Sequence, residues 1–205
     1  MTNYPSGTVT FLFTDIEGSA KLAHDHPTTW ESARARHHAI LQGAIEANNG
    51  YVFQIIGDAF CAAFHTSSDA VNAAINSQIN IHNEAWKNLT IKVRMGIHTG
   101  NAQAGNMDDR SGGYTGYHAL VLVQRVMSIG YGGQILLSNS SAALVRNELP
   151  DKTTLQDMGK HYLKGLLNPE PIWQINILDL PQEFPPLQSL NIKSNNLPIQ
   201  LTSFV

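Results

Sequence analysis

Two aspartates stand where a strand-like run gives way to a turn. Asp15 follows Val9-Thr10-Phe11-Leu12-Phe13-Thr14, and Asp58 lies within Ile55-Ile56-Gly57-Asp58-Ala59-Phe60. If the two runs are neighbours in a sheet, both carboxylates emerge at one edge. With the backbone carbonyl of Ile16 and a triphosphate, they form a set of hard oxygen ligands suited to Mg²⁺ or Mn²⁺. On residue types alone, an aspartate after a strand is more commonly a turn or cap residue. Arg94, within Val93-Arg94-Met95, reads equally well as a phosphate contact and as an ion-pair partner. Gly57 reads as geometric, supplying the turn that presents Asp58. His37-His38 and His24/His26 lack an acid or cysteine at ligand spacing, so they do not make a zinc site.

The elements that must hold these residues follow from periodicity. Val9–Phe13 reads as a strand. Thr28 and Glu31 resemble a capping box, and Ala33, His37, Ile40, Leu41, Ala44 and Ile45 recur behind it at helical spacing. Tyr51–Ile56 and Ala59–Phe64 read as a tight hairpin about Gly57-Asp58. A second helix runs from Ser67/Ser68 to about His82, and a strand from Ile91 to His98, while Asn101–Gly113 reads as a loop after a short strand. Ala119–Ile129 is helical, Gln134–Leu137 a strand, Ser138–Glu148 a short helix and Ile172–Leu178 a closing strand. The order β-α-β-β-α-β with appended elements implies an α+β, ferredoxin-like fold. Its sheet is mainly antiparallel, with helices on one face.

Composition bounds the rest. A chain of 205 residues, 42% hydrophobic and 14% charged, with a net charge of −3, is one globular domain. That balance gives no electrostatic reason to expect nucleic acid or an acidic membrane as partner. The single cysteine, Cys61, sits in an apolar run and reads as a buried free thiol. Neither a signal peptide nor a run of the ~20 apolar residues a membrane span needs is read, so a cytoplasmic location is expected. From Pro181 the chain turns rich in Pro, Ser and Asn, giving an expected division into a domain over 1–180 and a linker or tail over 181–205.

Five runs, in order, carry a resemblance to class III adenylyl and guanylyl cyclases. They are Phe-Thr-Asp-Ile-Glu-Gly-Ser (13–19), Tyr-Val-Phe-Gln-Ile-Ile-Gly-Asp-Ala-Phe-Cys-Ala-Ala-Phe (51–64), Val-Arg-Met-Gly-Ile-His-Thr-Gly (93–100), Gly-Gly-Gln-Ile-Leu-Leu-Ser (132–138) and His-Tyr-Leu-Lys-Gly-Leu (161–166) before Pro169. The resemblance implies the dimeric cyclase fold, with two Mg²⁺ or Mn²⁺ ions on Asp15 and Asp58. It implies attack of a ribose 3′-hydroxyl on the α-phosphorus of a nucleoside triphosphate, with loss of pyrophosphate. Arg125 matches the family's transition-state arginine, and Lys164 the lysine that contacts the triphosphate. The final run matches a C-terminal hairpin. The sites lie at a two-fold interface, so a homodimer is implied.

The chain departs from that pattern at three points. Gln54 stands where the family has a purine-reading lysine, and no aspartate partners it near Gly113 or Tyr114. An amide both donates and accepts, so adenine stays readable while guanine or a pyrimidine comes within reach. Val121 stands where the family has an asparagine one turn before the arginine. His118, two turns before Arg125 on the same face, is the stand-in read from spacing. The expectation is a cyclase with ATP as the leading substrate, acting in bacterial signalling, and the alternative is a weak or silent cyclase-like regulatory domain. The runs 184–190 and 195–205 resemble the connector that joins some bacterial cyclases to a STAND-type ATPase module, although no Walker A sequence is present.

Overall fold

The computed structural model describes residues 4–105 and 113–190. Strand β1 (Gly7–Ile16) is followed by helices α1 (Ser19–Asp25) and α2 (Pro27–Ala47), the hairpin β2 (Tyr51–Ile56) and β3 (Ala59–Phe64), and helix α3 (Ser67–Asn83). Next come β4 (Val93–Ala104), β5 (Tyr114–Thr115), α4 (Tyr117–Ser128), β6 (Ile135–Ser138), α5 (Asn139–Val145), β7 (Thr153–His161) and β8 (Glu170–Ile177). The strands form one mixed sheet ordered β2-β3-β1-β4-β6-β8-β7, with β5 beside β4. Among the described residues only the β4–β6 pair is parallel.

Alternation along the central strands sorts the core into two faces. Leu12 and Ile16 of β1 and Met95 and Ile97 of β4 pack with Leu41 and Ile45 of α2 and Val71 and Ile75 of α3. On the other face Phe11, Phe13 and Val9 meet Val123 and Met127 of α4. Helices therefore cover both faces, not the one face expected. The cause is visible at Gly96: a Cβ there would lie 2.5 Å from the Met127 backbone nitrogen, so only glycine lets α4 settle on β4. Beneath α3, the hydroxyls of Thr10, Ser67, Thr99 and Ser141 form a buried chain with links of 2.7–3.1 Å, which ties β1, β4, α3 and α5 together.

Several element boundaries differ from the sequence expectations. Helix α2 starts at Pro27, with His26 as N-cap and no side-chain cap bond, so the Thr28–Glu31 capping box does not form. Proline's fixed φ and missing N–H suit the first helical position and set the start before Thr28. Helix α1 is additional to the expected elements: it buries no residue, so it has no apolar stripe to detect. Strand β4 runs on through Ala104 because its far half pairs with the start of β1, Gly7 opposite Ala102. Residues 101–104 are thus strand rather than loop, and 106–112 lie outside the described residues. Strand β7 escapes periodicity because it is an edge strand with no fully buried position, although the resemblance implies a hairpin there.

Pro181–Leu190 has no extended regular structure, yet it lies against the domain. Gln188 N–H donates to the Ile129 carbonyl at 2.9 Å, the Tyr131 hydroxyl to Pro186 O at 2.9 Å, and Leu190 N–H to Tyr162 O at 3.1 Å. Residues 195–205, which carry half of the connector resemblance, lie outside the described residues.

Candidate active site

The β1–β3 register sets Thr14 opposite Phe60, and two further antiparallel steps bring Ile16 beside Asp58. The contact is made: Ile16 N–H donates to Asp58 Oδ2 at 2.9 Å. Gly57, with φ of 64°, makes the turn that delivers Asp58 to that point. Asp15 is thus one residue along β1 from the atom that fixes Asp58. Asp15 is itself fixed from the other side, by its cross-strand neighbour Arg94 on β4. Arg94 donates from Nε at 3.0 Å and from Nη2 at 2.5 Å, both to Asp15 Oδ2. Of the two readings of Arg94, the ion pair is the one formed here.

Each aspartate therefore has Oδ2 committed to a protein donor, and among the described residues no hydrogen bond engages Oδ1 of either. This is the donor set a hard divalent cation requires: two anionic oxygens held in place, with the Ile16 carbonyl close by. Among the described residues no cluster of three or more His, Cys, Asp or Glu forms. A cation here would complete its shell from backbone and from the phosphates of a substrate, so the residues fit a metal–nucleotide pair better than a resident metal alone.

Helix α4 buries Ala119, Leu122, Val123, Val126 and Met127. His118, Val121 and Arg125 share the opposite stripe, exposed at His118 and half-buried at the other two. Arg125 Nε is buried and has no hydrogen-bond partner among the described residues. Leu163 packs with Leu122 and Val126 of α4, which anchors the β7–β8 connection and leaves Lys164 exposed beside it. Gln54 is exposed on β2, next to a register shift between Val52 and Gln54. The structure thus brings Asp15, Ile16, Asp58 and Arg94 together, while His118 and Arg125 lie on α4 with Lys164 near that helix, and Gln54 lies on β2. Asp58 and Lys164 belong to hairpins at opposite ends of the sheet, with β1, β4 and β6 between β3 and β8. At ~4.8 Å per strand that places them on the order of 20 Å apart.

Comparison with known proteins bears on what this arrangement is. Residues 1–176 match the family described as the adenylate and guanylate cyclase catalytic domain. The chain belongs to that family. An uncharacterised protein of Mycobacterium tuberculosis is 34% identical over 204 residues, covering 98% of this chain and 67% of its own length. The chain thus spans about two thirds of that relative. A structure of a Trypanosoma brucei adenylate cyclase in its monomeric state superposes with a TM-score of 0.82 at 23% identity, covering 90% of this chain and 94% of the other. The adenylyl cyclase CyaB of P. aeruginosa superposes with a TM-score of 0.74 at 20% identity, covering 87% and 97%. The fold is that of the cyclase domains.

Spacing alone undervalues two groups. The histidines at 37 and 38 lack ligand spacing, yet His37 is fully buried and His38 bonds the Gly57 carbonyl at 3.1 Å. Arg94 has its partner 79 positions away in sequence, so only the β1–β4 register reveals the pair.

Proposed function

We propose that this cyclase-family chain converts a nucleoside triphosphate, ATP first among them, to a 3′,5′-cyclic nucleotide and pyrophosphate in bacterial signalling. The observation that carries the proposal is the Ile16–Asp58 bond beside the Asp15–Arg94 pair, which sets two carboxylates at one strand end, each held by one oxygen. Asp15, Asp58 and the Ile16 carbonyl would hold two Mg²⁺ or Mn²⁺ ions, which supply charge neutralisation of the polyphosphate and acidify the ribose 3′-hydroxyl. Arg94 holds Asp15 by one oxygen and offsets part of the negative charge at the site. In the reaction the 3′-oxygen forms a bond to the α-phosphorus and the bond to the β-phosphate bridging oxygen breaks. The hydroxyl proton passes to water, and pyrophosphate departs.

Arg125 and Lys164 meet the phosphates from a second copy of the chain. Support comes from the strand count between Asp58 and Lys164, which puts their hairpins at opposite ends of the sheet. The β2 edge supports a homodimer too, since Ile55 and Ile56 are 45% and 60% exposed there. Gln54, on the same strand, faces the base. His118 takes the place of the missing asparagine on the outer stripe of α4. The unit doing this is residues 1–180, with 181–205 as a tail that connects to a STAND-type ATPase module.

A second reading is favoured by Val121. An apolar side chain one turn from Arg125 cannot orient a ribose, and a domain so built would bind nucleotide and dimerise without turnover. Incubating the protein with Mn²⁺ and each of ATP, GTP, CTP and UTP, then resolving products by mass, separates the readings. A cyclic nucleotide abolished by Asp58→Asn supports the enzyme. Nucleotide binding without product supports the silent domain.

A further inference from the structure

We propose that His38 is a positioning residue for the metal-site turn: it clamps the Gly57–Asp58 peptide and thereby fixes where Asp58 is presented. The turn has a weakness that follows from its own geometry. In a two-residue hairpin the carbonyl of the first turn residue points away from the ladder, and no strand partner reaches it. Its central peptide can rotate, carrying the next residue with it, unless something outside the hairpin holds that oxygen. Here the holder is on α2. His38 lies 3.1 Å by a ring nitrogen, Nε2, from Gly57 O. A carbonyl only accepts, so Nε2 carries the hydrogen and the ring is in the tautomer that donates there.

The ring is itself held. It meets Phe60 edge-on, with centroids 5.0 Å apart at 87°, and Phe60 is fully buried on β3. The His37 ring, fully buried one residue back, packs 5.6 Å from it. Asp58 is consequently fixed at two points that involve different elements: its carboxylate by Ile16 N–H of β1, and the peptide preceding it by His38 of α2. Groups behind a metal ligand commonly alter affinity by ~10–100-fold when removed. His38 acts one peptide further back, so the lower end of that range applies.

The clamp can be tested without turnover. The Ile16 amide donates to Asp58, whereas the adjacent Glu17 amide donates to the Lys92 carbonyl at 2.9 Å, so Glu17 is an internal control at the same strand end. In His38→Ala, hydrogen exchange at Ile16 should quicken about tenfold while Glu17 is unchanged. His38→Gln, whose amide can donate to the same carbonyl, should restore the slow rate. Mn²⁺ binding followed by paramagnetic resonance should weaken about tenfold in His38→Ala and recover in His38→Gln. Unchanged Ile16 exchange, or equal quickening at Ile16 and Glu17, overturns the clamp. The Mn²⁺ arm rests on the metal reading given above. If the unsubstituted protein binds no Mn²⁺, that reading fails, while the exchange arm still decides for or against the clamp.

Discussion

Asp15 and Asp58 differ in what holds them, and the difference sets what their loss does. Asp58 accepts from a backbone N–H and Asp15 from a guanidinium. Asn in place of either keeps the shape and removes the anionic oxygen, so turnover should fall at least ~10²-fold with little change in the urea midpoint for Asp58→Asn. For Asp15→Asn the midpoint should drop as well, reflecting a stability loss of up to ~1 kcal/mol, because Arg94 and Asp15 are only partly exposed and Arg94 would lose its counter-charge. Val121 lies four residues before Arg125 on the outer stripe of α4, so Val121→Asn would project an amide beside the arginine. A gain of ~1.4 kcal/mol in transition-state stabilisation is tenfold in rate, which product counting resolves. If His118 already fills that role, His118→Ala should lower turnover both in the unsubstituted chain and in combination with Val121→Asn.

At the scale of elements, the docking of α4 is the structural condition for everything on its outer stripe. Gly96 permits it, and Gly96→Ala would force a methyl to within 2.5 Å of a helix backbone nitrogen. The helix must lift, so the variant should lose roughly 1–3 kcal/mol of stability by urea titration and lose turnover beyond what stability explains. The β2–β3 hairpin is legible to the residue, because β-branched and aromatic runs flank a Gly-Asp turn. Helix α1 and strand β7 are not: both lack a buried stripe, and periodicity detects nothing else. Asp15 and Asp58 are legible as strand-end acids. Their anchors are not, since Arg94 and Ile16 reach them through pairing between distant segments.

For the whole molecule, the buried histidines set the acid limit of stability. Burial lowers the pKa of His37 from 6.5 to about 3, with the neighbouring His38 adding to the effect. Burial likewise lowers His98 to about 4, with His118 contributing. Both groups take up a proton more readily in the unfolded chain than in the folded one. Stability should therefore be complete above pH 6.5, the unfolded value, and fall as pH drops through the interval towards 3 and 4. Urea midpoints across that interval check this, and His37→Leu should flatten the decline. Cys61 behaves in the opposite sense: burial pushes its thiol up to about 12, so it should resist alkylation until the fold opens.

The central claim is that Asp15 and Asp58 of one copy work with Arg125 and Lys164 of another. Complementation tests it most directly. Asp58→Asn and Arg125→Ala are each expected to be inactive alone, because every site in either homodimer lacks one essential group. Mixed in equal amounts with Mn²⁺ and ATP, half of the dimers formed at random would be heterodimers, each with one intact site. Cyclic nucleotide formation should then return to about a quarter of the unsubstituted rate. A mixture that stays as inactive as its components, while sedimentation shows dimers that exchange subunits, would contradict the account.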